Sequence, residues 1–592
     1  MKSHKAITRK QPITISSWLM LGYVVYIVCI WLAQLIDWCY FWFSWQQQPT
    51  VSMILAGILT LLGCWFLWRQ KMITCQKLVA TKFSLVIVIL IIVLTGVRAF
   101  FPDNSWDTQQ YHLLAQQPGW TNYFQYGFGA GGFQVWGFSL GDKMFYWWQT
   151  WLGYRLGTTL NTVAAVIIFS QLEKIILMLL STKHGKTIAG LWAGAIIASS
   201  WELALIFGTY YIDLIGVPLA LEAFWLLLGK MQRHWQRAEM IYYALILGLC
   251  LAMKLTYIIL VAPLALVFCW QARKQLTIKD LVIMAIVGIT PVSLYLIFNY
   301  YCTGNPIFPY YNTVFRSPYF KLINYKDIRR GGRNLGEKLL WLREAVNRKP
   351  TQRVFHFHNP AWLTLLIMIW CWLIMWVDYL IKIWKKKLRD KRSELVSVCF
   401  LLMYLCWTLT TGFARYFIGG FLILALSTVS MYKLLNSWRQ CLGAAFLIMV
   451  LSATAIGIKQ QWQEICSGTG WAMHKINAKS IAEQMKMIGH DKRAKDDDST
   501  LPNKILLVGA YQTGAAVVVN PRAEIVVRNY RLNLDNLQVL NIWADKMEEF
   551  IEADAYIMLS EDNPDATAPT QLKEKWQKEI EKMRQQDFDL SR

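Results

Sequence analysis

Apolar blocks of roughly twenty residues, repeated along most of the chain, limit what it can fold into more than any other feature. Twenty helical residues rise about 30 Å, the thickness of a bilayer's hydrocarbon core. In lipid, only helices and closed barrels leave no backbone group unsatisfied. Such runs lie at 18–36, 51–68, 83–100, 158–180, 187–207, 213–229, 281–300, 362–382, 396–411, 415–432 and 441–457. Only 16% of the 592 residues are charged, where a soluble domain carries about a quarter. The 30 Trp and 27 Tyr suit a chain whose amphipathic rings settle at membrane interfaces. The chain reads as an α-helical polytopic membrane protein.

Its net charge of +23 raises nucleic acid as a partner, but the distribution of the charge favours a bilayer instead. Lys and Arg cluster at Lys2 to Lys10, Arg69 to Lys82, Lys183/Lys186, Lys230 to Arg237, Arg273 to Lys279, Lys382 to Arg392 and Lys433/Arg439, each between apolar runs. Cytoplasmic loops carry that excess, and placing every cluster inside requires an even number of crossings between neighbours. The stretch 241–271 is too long for one upright crossing and short for two. The parity holds only if it is two short helices with Lys254 at their outer turn. The expectation is therefore about thirteen spans, with the N-terminus cytoplasmic and the C-terminus outside. The first apolar run has no cleavage site after it and reads as a retained span. Twelve cysteines sit mostly inside apolar runs without a CxxC pair, which indicates neither zinc nor a disulfide framework.

This topology divides the chain into 1–82, a cytoplasmic tail with two helices; 83–457, a transmembrane catalytic domain with outer loops 101–157 and 301–361; and 458–592, a polar outer domain. In the last, a polar linker near Arg493 to Thr500 precedes KILLVG (504–509), AEIVV (523–527) and DAYIML (554–559). These short apolar runs bounded by Gly, Pro and charge read as buried strands. With helical stretches such as 566–587 they describe a small α/β domain.

The same topology gathers charges on the outer face. Asp107 follows a span directly, in SWDTQQYH (105–112), and Asp213 stands in TYYIDL (209–214). Lys254 is at the outer turn, and Arg415 at the outer end of 415–432. Charges at membrane depth are costly and usually functional. A carboxylate can take a proton from an acceptor hydroxyl that attacks a sugar carbon. Cations can hold the charge that develops on a departing phosphate. Transfer of a sugar from a lipid phosphate fits this set; on chemistry alone, so does hydrolysis by paired carboxylates.

These residues also resemble a family. SWDTQQYH is similar to the WDxxxYH signature of bacterial GT-C glycosyltransferases, the group of the aminoarabinose and protein mannosyl transferases. TYYIDL resembles that group's second acidic motif, GLCLAMKLTY (248–257) its small-residue segment, GNPIFPYYN (304–312) its GNPxFPxxN loop, and FARYF (413–417) its late Arg-Tyr. The ordered set covers most of 83–433. The resemblance implies a GT-C-like fold and a polyprenyl-phosphate-linked sugar donor. The acceptor would be a glycan, lipid or protein at the outer face of a bacterial inner membrane. It makes Asp107 the catalytic base and Asp213 a second carboxylate, with Lys254 and Arg415 gripping the donor phosphate. Tyr211 and Asn305 join the substrate-binding residues.

Other readings stay open. His112 is either a donor ligand or a structural hydrogen-bonding residue, and Tyr111 reads as packing. The GNPIFPYYN aromatics either anchor at the interface or stack on sugar or lipid. Arg329, Arg330 and Arg333 around Gly331 and Gly332 either fold over a phosphate or form a solvated cationic face. GFGAGGF (127–133) has no strand before it and reads as a turn. Two acidic sites suit a divalent ion, but Lys254 beside them favours charge neutralisation with no metal or other cofactor. The rival functions are a transporter or flippase of lipid-linked saccharides, and a non-catalytic scaffold.

Overall fold

The structure is a computed structural model of the chain. It describes residues 12–43, 49–98, 103, 107–116, 137–180, 185–200, 206–231, 233–318, 322–324, 334–339, 361–384, 390–467, 504–508, 524–528 and 556–559. Arg329, Arg330 and Arg333, the GFGAGGF segment, the linker near 493–500 and the stretch 566–587 lie outside these residues.

The chain is a multi-pass helical membrane protein. Among the described residues, eight helices are long and apolar enough to cross a bilayer, and four shorter apolar helices accompany them. In order, the helices are α1 (Trp18–Trp42), α2 (Pro49–Arg69), α3 (Lys82–Arg98), α4 (Leu140–Gly157), α5 (Leu160–Leu180), α6 (Gly185–Ala198) and α7 (Val217–Gly229). There follow α8 (Arg237–Met253), α9 (Ile258–Ala272), α10 (Ile278–Thr303), α11 (Ala361–Trp384), α12 (Lys391–Thr410), α13 (Ile418–Trp438) and α14 (Gln440–Ser467). Helices α5 and α7 form the centre and are buried along nearly their whole length. Helix α2 instead exposes Ile54, Leu55, Leu61, Leu62, Trp65 and Phe66, the surface expected of a span that faces lipid.

The apolar runs and these helices coincide closely, with three informative differences. The run 213–229 becomes helical only at Val217, because Pro218 in the first turn sets the start. Asp213 is thereby left in an irregular turn. The run 187–207 is helical only to Ala198. The segment 101–157, expected to be loop, contains α4. This helix is too polar to be recognised as a span, yet it buries Leu140, Met144 and Phe145. It docks on α1, where the Tyr26 hydroxyl donates to the Met144 carbonyl at 2.7 Å and the Tyr26 and Trp148 rings meet edge-on at 5.7 Å.

The stretch 241–271 does divide. Helix α8 ends at Met253 and Lys254 is extended (φ −164°, ψ 132°). A 3-10 turn, Leu255–Tyr257, then leads into α9. Helix α8 packs against α10 with almost no clearance, since a Cβ on Gly248 would lie 2.1 Å from the Gly288 carbonyl oxygen. Small residues that let backbones approach this closely are the usual means of packing helices in lipid.

Two strands were not foreseen. β1 (Ile13–Ile15) pairs in parallel with β2 (Ile73–Cys75), and the strap is pinned by buried carboxylates. Glu222 accepts from the Ser16 amide at 3.0 Å, and Glu173 accepts from the Ala80 amide at 2.8 Å and from the Ser84 hydroxyl. The three expected C-terminal strands form: β3 (Lys504–Val508), β4 (Glu524–Arg528) and β5 (Tyr556–Leu559) make a parallel sheet in the order β4-β3-β5.

Gly248→Leu is expected to force α8 from α10 and to cost about 1–3 kcal/mol, as overpacking does. Thermal unfolding of the purified protein in detergent measures the loss.

Candidate active site

Four charged side chains meet where α8 ends and α7 and α13 begin. Asp107 stands just before a π-helical turn, Thr108–His112. Asp213 is in the turn that precedes α7, Lys254 in the break after α8, and Arg415 in the 3-10 turn Ala414–Phe417 that precedes α13. Asp213, Lys254 and Arg415 lie off regular α-helix, so each of these side chains is aimed by the shape of a turn rather than by helical periodicity.

Buried polar groups hold those turns. The Asp103 carboxylate accepts from the Thr108 hydroxyl at 2.6 Å and from the Tyr210 amide at 2.8 Å. One side chain thus ties the turn of Asp107 to that of Asp213. The Asn161 amide donates to the carbonyls of Ile206, Thr209 and Tyr211 at 3.0–3.3 Å. The Tyr257 hydroxyl donates to the Ile212 carbonyl at 2.8 Å and accepts from the Gly216 amide at 2.9 Å. Its ring lies so close to Gly216 that a Cβ there would sit 2.4 Å from it. Near Arg415, the Trp407 indole donates to the Phe413 carbonyl at 2.9 Å and stacks on Phe417 at 4.6 Å.

The charges form one chain. Lys254 Nζ lies 2.6 Å from Asp213 Oδ1, and Arg415 Nη2 lies 2.5 Å from Asp107 Oδ2. Arg415 Nε lies 3.0 Å from Asp213 Oδ2. That last pair is a charge contact whose angle falls short of a hydrogen bond, for neither atom has a hydrogen-bond partner. Two cations and two carboxylates cancel, which makes the burial of all four tolerable. Aromatic faces complete the lining: the guanidinium sits 4.3 Å from the centre of the Tyr211 ring, and Lys254 Nζ 4.5 Å from that of Tyr416. Burial pushes the Asp107 carboxyl up, but Arg415, helped by Lys254, outweighs it and holds the group below the usual carboxylate range.

A pocket with about 750 Å³ of space, part of it open solvent, adjoins Lys254. Tyr111, His112, Asn299, Phe308, Tyr310 and Tyr416 are among its walls. His112 is fully buried, with Nδ1 2.8 Å from Asp142 Oδ1. Lys143, beside Asp142, is also buried, which lowers its pKa to about 7 against the pull of Asp142 and Asp37.

No protein-family model and no curated protein matches the chain. Among solved structures it is similar to ArnT from Cupriavidus metallidurans bound to undecaprenyl phosphate. The two are 10% identical. The match covers 82% of this chain and 94% of that one, with a TM-score of 0.42.

Of the residues singled out in the sequence, Asp107, Asp213, Lys254 and Arg415 come together, with Tyr211 beneath Arg415. His112 sits on the neighbouring pocket, whereas Asn305 does something else. It is fully buried and braces its own turn, donating to the Tyr310 carbonyl at 2.9 Å and accepting from the Ile307 amide at 3.0 Å. The loop it shapes supplies Ile307, Phe308 and Tyr310 to the pocket wall. Sequence reasoning missed Asp103, Asn161 and Asp142. The only signal for Asp103 and Asp142 was an acidic residue in a stretch with few charges.

Asp213→Asn leaves Lys254 and Arg415 short of a counter-charge in a buried site, and about 3–5 kcal/mol of stability is the expected loss, read by thermal unfolding in detergent. The acid limb is a second test. The folded pKa of Asp107 is depressed below an unfolded value near 4. Its stabilisation is therefore whole above about pH 4 and is lost as pH falls through the folded value. Asp107→Asn should flatten that limb of the stability–pH curve.

Proposed function

We propose that the chain is a membrane glycosyltransferase of GT-C type. It moves a sugar from a polyprenyl-phosphate carrier to a hydroxyl of a cell-envelope glycan, lipid or protein, at the outer face of a bacterial inner membrane. The observation that carries this reading is the neutral quartet of Asp107, Arg415, Asp213 and Lys254 beside a pocket lined by aromatic and polar side chains. The motif resemblance and the clustering of Lys and Arg in the opposite loops support the same reading.

The chemistry follows from the charges. Lys254 and Arg415 are the groups able to take a lipid phosphate, and both already have carboxylate partners. A phosphate that takes Arg415 displaces Asp107, the more exposed of the two carboxylates at 13% against 1% for Asp213. Asp213 keeps both cations oriented. Released from its guanidinium, Asp107 is the stronger base. It takes the proton of the acceptor hydroxyl as that oxygen attacks the anomeric carbon, and the carbon–phosphate oxygen bond breaks with its electron pair left on the phosphate. We assign no metal, since the two cations neutralise the carboxylates and the leaving phosphate alike.

Asp107→Asn removes both the base and the competitor for Arg415. Transfer from radiolabelled polyprenyl-phospho-sugar in membranes should fall by roughly 10²- to 10⁴-fold. Binding of the polyprenyl phosphate itself should hold or tighten. A folded variant that transfers sugar at the wild-type rate refutes the assignment, and movement of lipid-linked sugar across the bilayer without a new glycosidic bond establishes a transporter instead.

A further inference from the structure

Among the described residues, His112 carries a polar group that the quartet leaves unexplained. His112 is fully buried, and Nδ1 lies 2.8 Å from the Asp142 carboxylate. A carboxylate only accepts, so Nδ1 carries a proton, and an imidazole whose Nε2 is unprotonated presents a lone pair there. Nε2 meets no protein hydrogen-bond partner although it is buried. The ring cannot turn to relieve this. Tyr111 lies against it at 4.3 Å between centroids, Tyr211 lies at 5.8 Å, and Asp142 fixes the opposite edge.

The pocket that His112 and Asp142 share also contains Lys254, Tyr416, Asn299, Phe308 and Tyr310. Aromatic walls, an amide, a fixed imidazole and one cation at the quartet's edge suit a polyhydroxylated ring attached to phosphate. Aromatic faces cover the apolar side of such a ring, and polar groups meet its hydroxyls. A long apolar chain would leave Nε2 facing hydrocarbon.

We infer that this pocket is a sugar subsite and that His112 Nε2, oriented by Asp142, accepts a hydrogen bond from one sugar hydroxyl. The inference rests on the proposed glycosyl transfer and adds a specificity-determining contact to it. His112 touches the sugar, and Asp142 is a positioning residue that fixes the tautomer. The hydroxyl belongs either to the transferred sugar or to a sugar acceptor.

Two substitutions separate the nitrogen atoms. In His112→Asn the side-chain amide replaces Nδ1 and keeps the bond to Asp142, but nothing stands at Nε2. In His112→Gln the terminal amide reaches the place of Nε2. The full-length protein in membranes would be given polyprenyl-phospho-glucose, -mannose and -aminoarabinose, then monodeoxy derivatives of whichever donor is used. Wild type should lose roughly tenfold to hundredfold in kcat/KM for the one derivative that lacks the recognised hydroxyl. His112→Asn should use that derivative and the parent sugar equally well, and His112→Gln should restore part of the discrimination. If the variant still discriminates among donors while transfer to the envelope acceptor falls by the same factor, the hydroxyl is the acceptor's. If His112→Asn discriminates and transfers as wild type does, the inference is overturned. A wild type that uses none of these donors overturns the function and this inference together. Should His112→Asn fail to fold by thermal unfolding, His112→Gln carries the test: discrimination weaker than wild type's is the expected result, and discrimination equal to wild type's overturns the inference.

Discussion

The quartet of buried charges is the constraint on which the rest of this region depends. Isolated, any one of these ions would cost several kcal/mol to remove from water. Together they are tolerable only while Arg415 lies within reach of Asp107 and Asp213 at once, and Lys254 within reach of Asp213. Those four residues come from segments up to 308 positions apart in sequence. Their meeting therefore fixes the mutual placement of α7, α8, α13 and the turn that follows α3. Neutrality makes the site stable, and in the proposed transfer a phosphate that takes Lys254 or Arg415 exchanges with a carboxylate already in place.

Much of this was legible in the sequence because lipid simplifies the reading. Hydropathy marks the helices, since nothing but helix satisfies the backbone there. The distribution of Lys and Arg forced the break at Lys254, which the structure has as an extended residue between α8 and α9. The turn of Asp213 followed from its place at the head of an apolar run. What escaped was whatever lipid does not simplify. Helix α4 carries Asp142 and Lys143 among aromatic residues, so hydropathy passes over it, yet both are buried, with Asp142 paired to His112. Asp103 drew no reading, since nothing local announces that its partners are a threonine five residues on and an amide 107 residues on. Asn305 misled in the opposite sense. Its motif belongs to the pocket, but its own amide shapes the turn while its neighbours form the wall.

The N-terminal helices, which no motif placed, bear on the same region. Tyr26 of α1 accommodates α4 through its hydroxyl and its ring, and Tyr23 donates to the Ile215 carbonyl at 2.6 Å, in the turn of Asp213. Helix α1 therefore supports both the helix that carries Asp142 and the turn that carries Asp213. It is a wall of the site's scaffold rather than an appendage.

Irregular backbone at membrane depth is tolerated only where protein groups replace the missing helical hydrogen bonds. Three such segments converge here, at 209–216, 254–257 and 412–417. Side chains from elsewhere satisfy the first, Asn161 and Asp103 along it and Tyr257 at its end, and Trp407 satisfies the last. The groups that satisfy the backbone are the same ones that aim the charges. Loosening a turn would therefore expose unpaired amides as well as misplace an ion. The coupling makes the cationic centre rigid, and a rigid centre favours exchange of one ligand for another over rearrangement of the site. In the proposed transfer, Asp107, the more exposed of the two carboxylates, is on that ground the group that would give way to phosphate, while Asp213 stays.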